Sequence, residues 1–281
     1  MSPLITRREA PQPPCHNCAV RTVEVTRYVT PLREGGSLPA IVEADDDGLY
    51  VLKFRGAGQG PKALVAELVS GEIARALGLP IPEIVFAKLD ADLARTEPDP
   101  EIHALIHDSA GLNLALDFLP GSVAYDPLVH KIPSELAARI VWFDAYVTNV
   151  DRTARNTNML IWHRQPWLID HGATLYFHHS PGWEHEPHRA RSAFPAIRDH
   201  VLLGVARAFP AGQSYELMDQ GCADRLTSSV VDAILGLVPA DWLMSDSSGV
   251  DPATVRTAYR SYLLERLAAP RAFAEEAFRA R

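Results

Sequence analysis

Residues 143 to 172 read FDAYVTNVDRTARNTNMLIWHRQPWLIDHG. An apolar helix runs into a polar loop, DRTARN. Two short strand-like runs follow, TNMLIWH and PWLID, with a turn expected at Arg164 and Gln165. A loop held between a helix and a hairpin fixes the separation of Asp151 and Asn156. Asp170, expected to end the second strand, is folded back beside them. Two carboxylates and one amide carbonyl then converge on one spot. Hard oxygen donors of this kind suit Mg²⁺, which is usually held by one or two carboxylates together with substrate phosphates. A carboxylate beside such a metal can orient a hydroxyl for in-line attack on a phosphoryl group.

That chemistry also needs groups that grip phosphate. Lys53 lies inside an apolar strand, YVLKF. A lysine there costs free energy unless it has a partner or its head reaches water. Glu67, on the Leu64–Leu68 side of the following helix, can supply the partner, and Glu72 on the same helix competes for the role. A strand lysine held by a helix glutamate is the device with which protein kinases bind the α- and β-phosphates. Upstream, REGGSLP places Gly35, Gly36 and Ser37 before the second strand. Glycines let backbone N–H groups approach a phosphate, and Ser37 adds a hydroxyl donor.

Around these groups the first half reads as strands with one strong helix. TVEVTRYV alternates, so that Val23, Val25 and Arg27 share a face. LPAIVEA and GLYVLKF flank a hairpin turn at residues 44 to 48. Leu64, Leu68, Ile73 and Leu77 keep helical spacing up to Gly78 and Pro80. PEIVFAKL and GLNLALDFLPG are further strands. The second half is helical: SELAARIVWFDAYVTN is entered through Pro133 and Ser134, and three helical segments follow the hairpin, the last from about Pro252 to the end. The fold class is α+β and bilobal, a β-rich lobe joined near Leu119, Pro120 and Gly121 to a helical one. The expected divisions are a flexible tail over 1–20, the β-rich lobe over 21–120 and the helical lobe over 121–281.

Composition narrows the partners. With 27 basic and 35 acidic residues the net charge is −8. This disfavours direct binding to nucleic acid or an anionic membrane. Three cysteines make no disulfide framework and suit a reducing cytoplasm, the expected location. Cys15 and Cys18, in CHNC, have the spacing of half a zinc site and lack a second pair. No run approaches the ~20 apolar residues of a membrane span, and the N-terminus has no apolar signal core.

In order and type, these parts resemble the HipA-like kinases, of the compact form without HipA's extra N-terminal region. That family is related in fold to protein kinases and to phosphatidylinositol 3- and 4-kinases. The resemblance covers roughly residues 22 to 280. It implies that Asp151 is the catalytic base, that Asn156 and Asp170 bind Mg²⁺, and that Lys53, with Glu67, and the Gly35–Gly36–Ser37 turn hold the ATP phosphates. Backbone groups at Asp117, Phe118 and Leu119 would meet the adenine. It further implies γ-phosphate transfer to serine or threonine of a protein acceptor and a toxin–antitoxin-like setting with an antitoxin-like partner. HipA's phosphate-loop serine is an autophosphorylation site, and Ser37 sits in a comparable place within a different local sequence.

Three departures shape the expectation. The HRD of protein kinases reads NVD, with the arginine after the aspartate as Arg152, closer to the lipid-kinase DR. DFG reads DHG, with His171 in the phenylalanine position, and the glycine-rich loop is reduced to GGS. A small-molecule or lipid kinase, or an AMP transferase, is therefore the competing activity on this scaffold. A nucleotide-binding regulator without transfer is the competing non-enzyme. His178, His179, His185 and His188 fit no compact zinc pattern and are expected in a solvated loop at the place of the activation segment. Asp144 suits either a supporting contact or a helix surface. Trp142, Phe143 and Tyr146 are expected in the core.

Overall fold

A computed structural model describes residues 20–32, 38–58, 60–244 and 249–281. The expected tail, CHNC, Gly35, Gly36 and Ser37 lie outside the described residues.

Five strands close into a barrel: β1 (Thr22–Pro31), β2 (Ala40–Ala44), β3 (Leu49–Lys53), β4 (Ile84–Leu89) and β5 (Gly111–Asp117), in the order β1-β2-β3-β5-β4. Parallel pairing of β1 with β4, Thr22 opposite Phe86, completes the circle. Closure leaves no unpaired edge. Val23, Val42, Tyr50, Leu52 and Val85 fill the interior. Val23 and Val25 point inward, but Arg27 does not share their face. The register shifts between Val25 and Arg27, a bulge that turns Arg27 outward to Glu43. The β2–β3 turn is built on Asp46, which accepts from the Gly48 N–H at 3.0 Å and the Tyr50 hydroxyl at 2.7 Å.

Helix α1 (Pro61–Ala76) starts on a proline at its first turn and ends before Gly78, at φ 71°. From Leu64 to Ala74 every residue is buried. The barrel covers one side and the second lobe the other, so a simple amphipathic stripe is absent. A Cβ at Gly71 would come within 2.4 Å of the Ile84 methyl, which shows how closely α1 lies on β4. The first half holds a second helix, α2 (Pro100–Asp108), against the expectation of one. Asp99 caps it by accepting from Glu101 N–H, and Pro100 opens its first turn.

After β5 the next strand, β6 (Val123–Ala124), joins a different sheet, with β7 (Met159–Trp162) and β8 (Gln165–Leu168). The β7–β8 turn is at His163 and Arg164, one residue earlier than expected. Both have positive φ, 49° and 64°, and Gln165 pairs with Trp162. That is the hairpin geometry whose twist suits the strands, reached without the usual asparagine and glycine. Helix α3 (Ser134–Tyr146) precedes the DRTARN loop, and its Trp142, Phe143 and Tyr146 are fully buried.

The remaining chain is more broken than the three helical segments expected: α4 (Leu203–Ala206), α5 (Gln213–Arg225), α6 (Ser228–Gly236), α7 (Ala240–Leu243), α8 (Pro252–Leu267) and α9 (Ala272–Ala280). Pro270, which has no N–H to continue a helix, separates α8 from α9. Arg266 of α8 is 2% exposed and donates to the carbonyls of Ala145, Tyr146, Ala190 and Ser192, each at 2.9 Å. Burial holds its pKa below the ordinary arginine value. Among the described residues no helix is long and apolar enough to cross a membrane. The α+β, bilobal plan expected from the sequence is the one observed.

Candidate active site

Asp151 opens the loop after α3. Its Oδ2 accepts from two amides, Asn156 Nδ2 at 2.7 Å and Asn158 Nδ2 at 3.0 Å, and its own N–H donates to Asn149 Oδ1 at 3.0 Å. Committing the Asn156 nitrogen to Asp151 leaves its carbonyl oxygen without a hydrogen-bond partner among the described residues. Thr148, Asn158, Asp170 and Leu175, all near this loop, have positive φ between 45° and 56°. Such backbone costs on the order of 1–3 kcal/mol per residue and persists where the surroundings over-determine it.

The surroundings that do so converge on Asp144, a fully buried carboxylate in α3. It accepts from Asn149 Nδ2 at 2.7 Å, Arg152 Nε at 2.7 Å and His200 Nε2 at 2.8 Å. Burial alone would push its pKa up, but the Arg152 guanidinium and the His200 N–H hold it well below the carboxylate range. Arg152 also donates through Nη1 to the Asn158 carbonyl. Asp144 is thus no helix-surface acid.

Lys53, at the end of β3, is 12% exposed at its side chain and lies between two acids. Its Nζ is 2.5 Å from Asp170 Oδ1 and 3.6 Å from Glu67 Oε2. Desolvation would lower its pKa, but Glu67 and Asp170 outweigh that and raise it. Glu67 is 1% exposed and also takes the His171 N–H at 2.9 Å and His171 Nδ1 at 3.3 Å. Despite burial, Lys53 and His171 keep its pKa low. Glu72 faces elsewhere and pairs with Arg75 at 2.6 Å. His171 itself is fully buried, edge-on to Phe143.

The segment after His171 ties α1 to the second lobe. Thr174 and Ser70 hydroxyls are 2.6 Å apart, the Thr174 hydroxyl lies 2.7 Å from the His171 carbonyl and 3.3 Å from the Ala66 carbonyl, and Lys62 donates to the His178 carbonyl at 2.8 Å. The histidine-rich stretch is not the solvated loop expected. Phe177 stacks on Tyr262, and His178, fully buried, meets the Tyr259 hydroxyl at 2.8 Å and His179 Nε2 at 3.0 Å. Burial lowers the His178 pKa. His185 remains exposed, and the side chain of His188 lies outside the described residues.

At the crossing between the lobes, Asp117 N–H donates to the Glu83 carbonyl and Phe118 N–H to Leu49. Of the three positions expected to meet adenine, only Leu119 has a backbone N–H without a partner among the described residues. Among those residues, no three His, Cys, Asp or Glu side chains gather to hold a metal unaided. The Asp170 carboxylate and the side-chain carbonyl of Asn156 are hard oxygen donors, the type that suits Mg²⁺. Asn149, Asn158, Thr174 and His200 were not singled out in the sequence. Asn158, two residues beyond Asn156 in DRTARNTN, was the one within reach of a local pattern.

No curated protein matches the chain. Among solved structures it is similar to a Golgi casein kinase with Mn/ADP bound, at 14% identity and a TM-score of 0.48, covering 95% of this chain and 75% of that one. It is also similar to the Helicobacter pylori proinflammatory kinase CtkA, at 13% identity and a TM-score of 0.47, covering 92% and 97%. The family model described as HipA-like kinase matches residues 24–276, nearly the whole span that carries the barrel, the Lys53–Glu67–Asp170 cluster and the Asp151 loop. The chain belongs to the HipA-like kinases.

Proposed function

We propose that this kinase transfers the γ-phosphate of ATP, with Mg²⁺, to a serine or threonine hydroxyl of a protein. The observation that carries the reading is the meeting of Lys53 with Asp170, 117 residues away in sequence, and with Glu67 behind it. Lys53 exchanges Asp170 for a phosphate oxygen when ATP binds, while Glu67 keeps the ammonium in place. Asp170 and the Asn156 carbonyl are then the oxygens that hold the metal, which when bound draws charge from the phosphates. Asp151, its Oδ2 steadied by two asparagine amides, takes the acceptor's hydroxyl proton through its other oxygen. Leu119 N–H is the donor for adenine, and by family resemblance Gly35, Gly36 and Ser37 contribute phosphate donors. The lobes divide near residue 120, with ATP bound mainly by the first. The protein acceptor and the antitoxin-like partner rest on family membership, and the cytoplasmic setting on the cysteine content.

The test uses purified protein, Mg²⁺ and ATP labelled on the γ- or the α-phosphorus. Wild type should pass γ-label to its own hydroxyls or to an added protein, and Asp151→Ala should lose transfer while still binding ATP. Transfer by Asp151→Ala at the wild-type rate refutes the assignment of the base. Transfer of α-label identifies an AMP transferase, and bound ATP with no transfer to any acceptor identifies a regulator.

A further inference from the structure

The departures around Asp151 leave a physical question. The histidine and arginine that precede the base in protein kinases are missing, yet the loop is held in a backbone with left-handed residues. Some group must fix it from below. Arg152 is one. The geometry points to a second, and we propose that His200 is a positioning residue for phosphoryl transfer, acting on Asp151 through Asp144. The proposal rests on the reading of Asp151 as the base.

Asp144 receives its donors on both carboxylate oxygens, and two of the three lead straight to Asp151. Asn149 donates to Asp144 Oδ1 and accepts the Asp151 N–H. Arg152 donates to Asp144 Oδ2 through Nε and, through Nη1, holds the carbonyl of Asn158, whose amide contacts the Asp151 carboxylate. The third donor, His200 Nε2, comes from outside the loop, 56 residues from Asp144 in sequence, and shares Oδ2 with Arg152. It is 6% exposed. The Leu202 N–H points at His200 Nδ1, at 3.0 Å, so the ring proton facing Asp144 sits on Nε2. The backbone reinforces the arrangement: Thr153 and His200 form an isolated bridge, and Val201 N–H donates to the Arg152 carbonyl at 3.1 Å. Residues 200 and 201 therefore hold the loop at Arg152, at Thr153 and through Asp144. Without the His200 donor, Asp144 Oδ2 keeps Arg152 alone, and the carboxylate that carries both links to Asp151 loses its only anchor from outside the loop's own segment.

Two substitutions separate the donor from the shape of the ring. His200→Phe keeps a ring of similar volume and loses the donor. His200→Gln places an amide N–H where Nε2 was and keeps it. Both lose the acceptor for Leu202, so their difference isolates the bond to Asp144. The full chain is assayed for steady-state hydrolysis of MgATP, for ATP affinity by calorimetric titration, and for hydrogen exchange over residues 149–158. Turnover of His200→Phe should fall about 10–100-fold, as for other outer-shell orienting groups, with ATP affinity unchanged and exchange faster in the loop. His200→Gln should recover most of the turnover and the protection. Equal turnover and equal protection in the two variants, whether both native-like or both impaired, overturns the proposal. If wild type hydrolyses no ATP, transfer of γ-label is the turnover compared; if it transfers none to any acceptor either, the failure belongs to the proposed function, and loop protection alone decides the role of His200. Should the Phe variant not fold, His200→Asn, too short to reach Asp144, is the donor-free member of the comparison.

Discussion

Glu67→Gln removes one negative charge from the most enclosed part of the site and almost nothing else. Glu67 sits between the Lys53 ammonium at 3.6 Å and the His171 N–H at 2.9 Å, and is 1% exposed. Removing one member of a buried ion pair costs about 3–5 kcal/mol, because the other charge stays buried. Two features put this substitution at the low end. Lys53 keeps Asp170 at 2.5 Å, and the glutamine carbonyl can still accept from His171. The expectation is about 3 kcal/mol, and at roughly 2–4 °C per kcal/mol for a chain of this size the melting temperature falls by about 6–12 °C. The control is Glu72→Gln, five residues along the same helix. Its carboxylate has Arg75 at 2.6 Å, and burial already raises its pKa. Neutralising a carboxylate that burial already disfavours recovers desolvation, and Arg75, 19% exposed, keeps access to water, so Glu72→Gln should cost clearly less than Glu67→Gln. Thermal denaturation at pH 7 without nucleotide compares the two. If Glu67→Gln melts with wild type, or Glu72→Gln is the more damaging, the placing of Lys53 by Glu67 is wrong.

Thr174→Val keeps the shape of a buried side chain and leaves Ser70 without its 2.6 Å partner and the His171 carbonyl without the Thr174 hydroxyl at 2.7 Å. It should cost about 1–3 kcal/mol in denaturant unfolding, the desolvation penalty of unpaired buried groups, and a midpoint identical to wild type would refute that. For Asp144→Asn the difference in stability from wild type should depend on pH with a definite sign. Asp144 has its pKa lowered in the folded chain. Its ionic contribution is therefore complete above the unfolded aspartate value of about 3.9 and is lost as pH falls through the lower folded value. Urea titrations should show a constant gap from about pH 5 to 8 that closes only in stronger acid. A gap that closes near pH 6 would assign the effect to a histidine instead.

The parts of the site that local pattern announces were legible. Lys53 is conspicuous as a charge inside YVLKF, and DRTARN with a following hairpin fixes the order of Asp151, Asn156 and Asp170. The barrel strands alternate, so their inward faces could be read, except at Arg27, where a bulge breaks the period and no residue type marks it. Asp144 could not be assigned, because α3 is buried on all sides from Ala137 to Tyr146 apart from Arg139. Without an exposed face, periodicity cannot tell an inward acid from an outward one. His200 carries no local signal at all, since its meaning arises from a contact 56 residues away. The histidine-rich stretch misled for the same reason: prolines and polar residues suggest water, while Phe177 and Trp183 supply the packing onto α8.

Arg266 has a consequence for the time at which this enzyme comes into being. Its guanidinium caps the last carbonyls of α3, directly upstream of the Asp151 loop, yet it is synthesised 120 residues after Tyr146. At about 5–20 residues per second on the ribosome, the loop emerges on the order of 6–24 s before the cation that secures its entrance. Until then the end of α3 has no such clamp. A nascent chain stopped short of α8 carries Asp151, Asn156 and Asp170 and still lacks one of the anchors of their framework, so activity arrives late in translation, with the C-terminal helices.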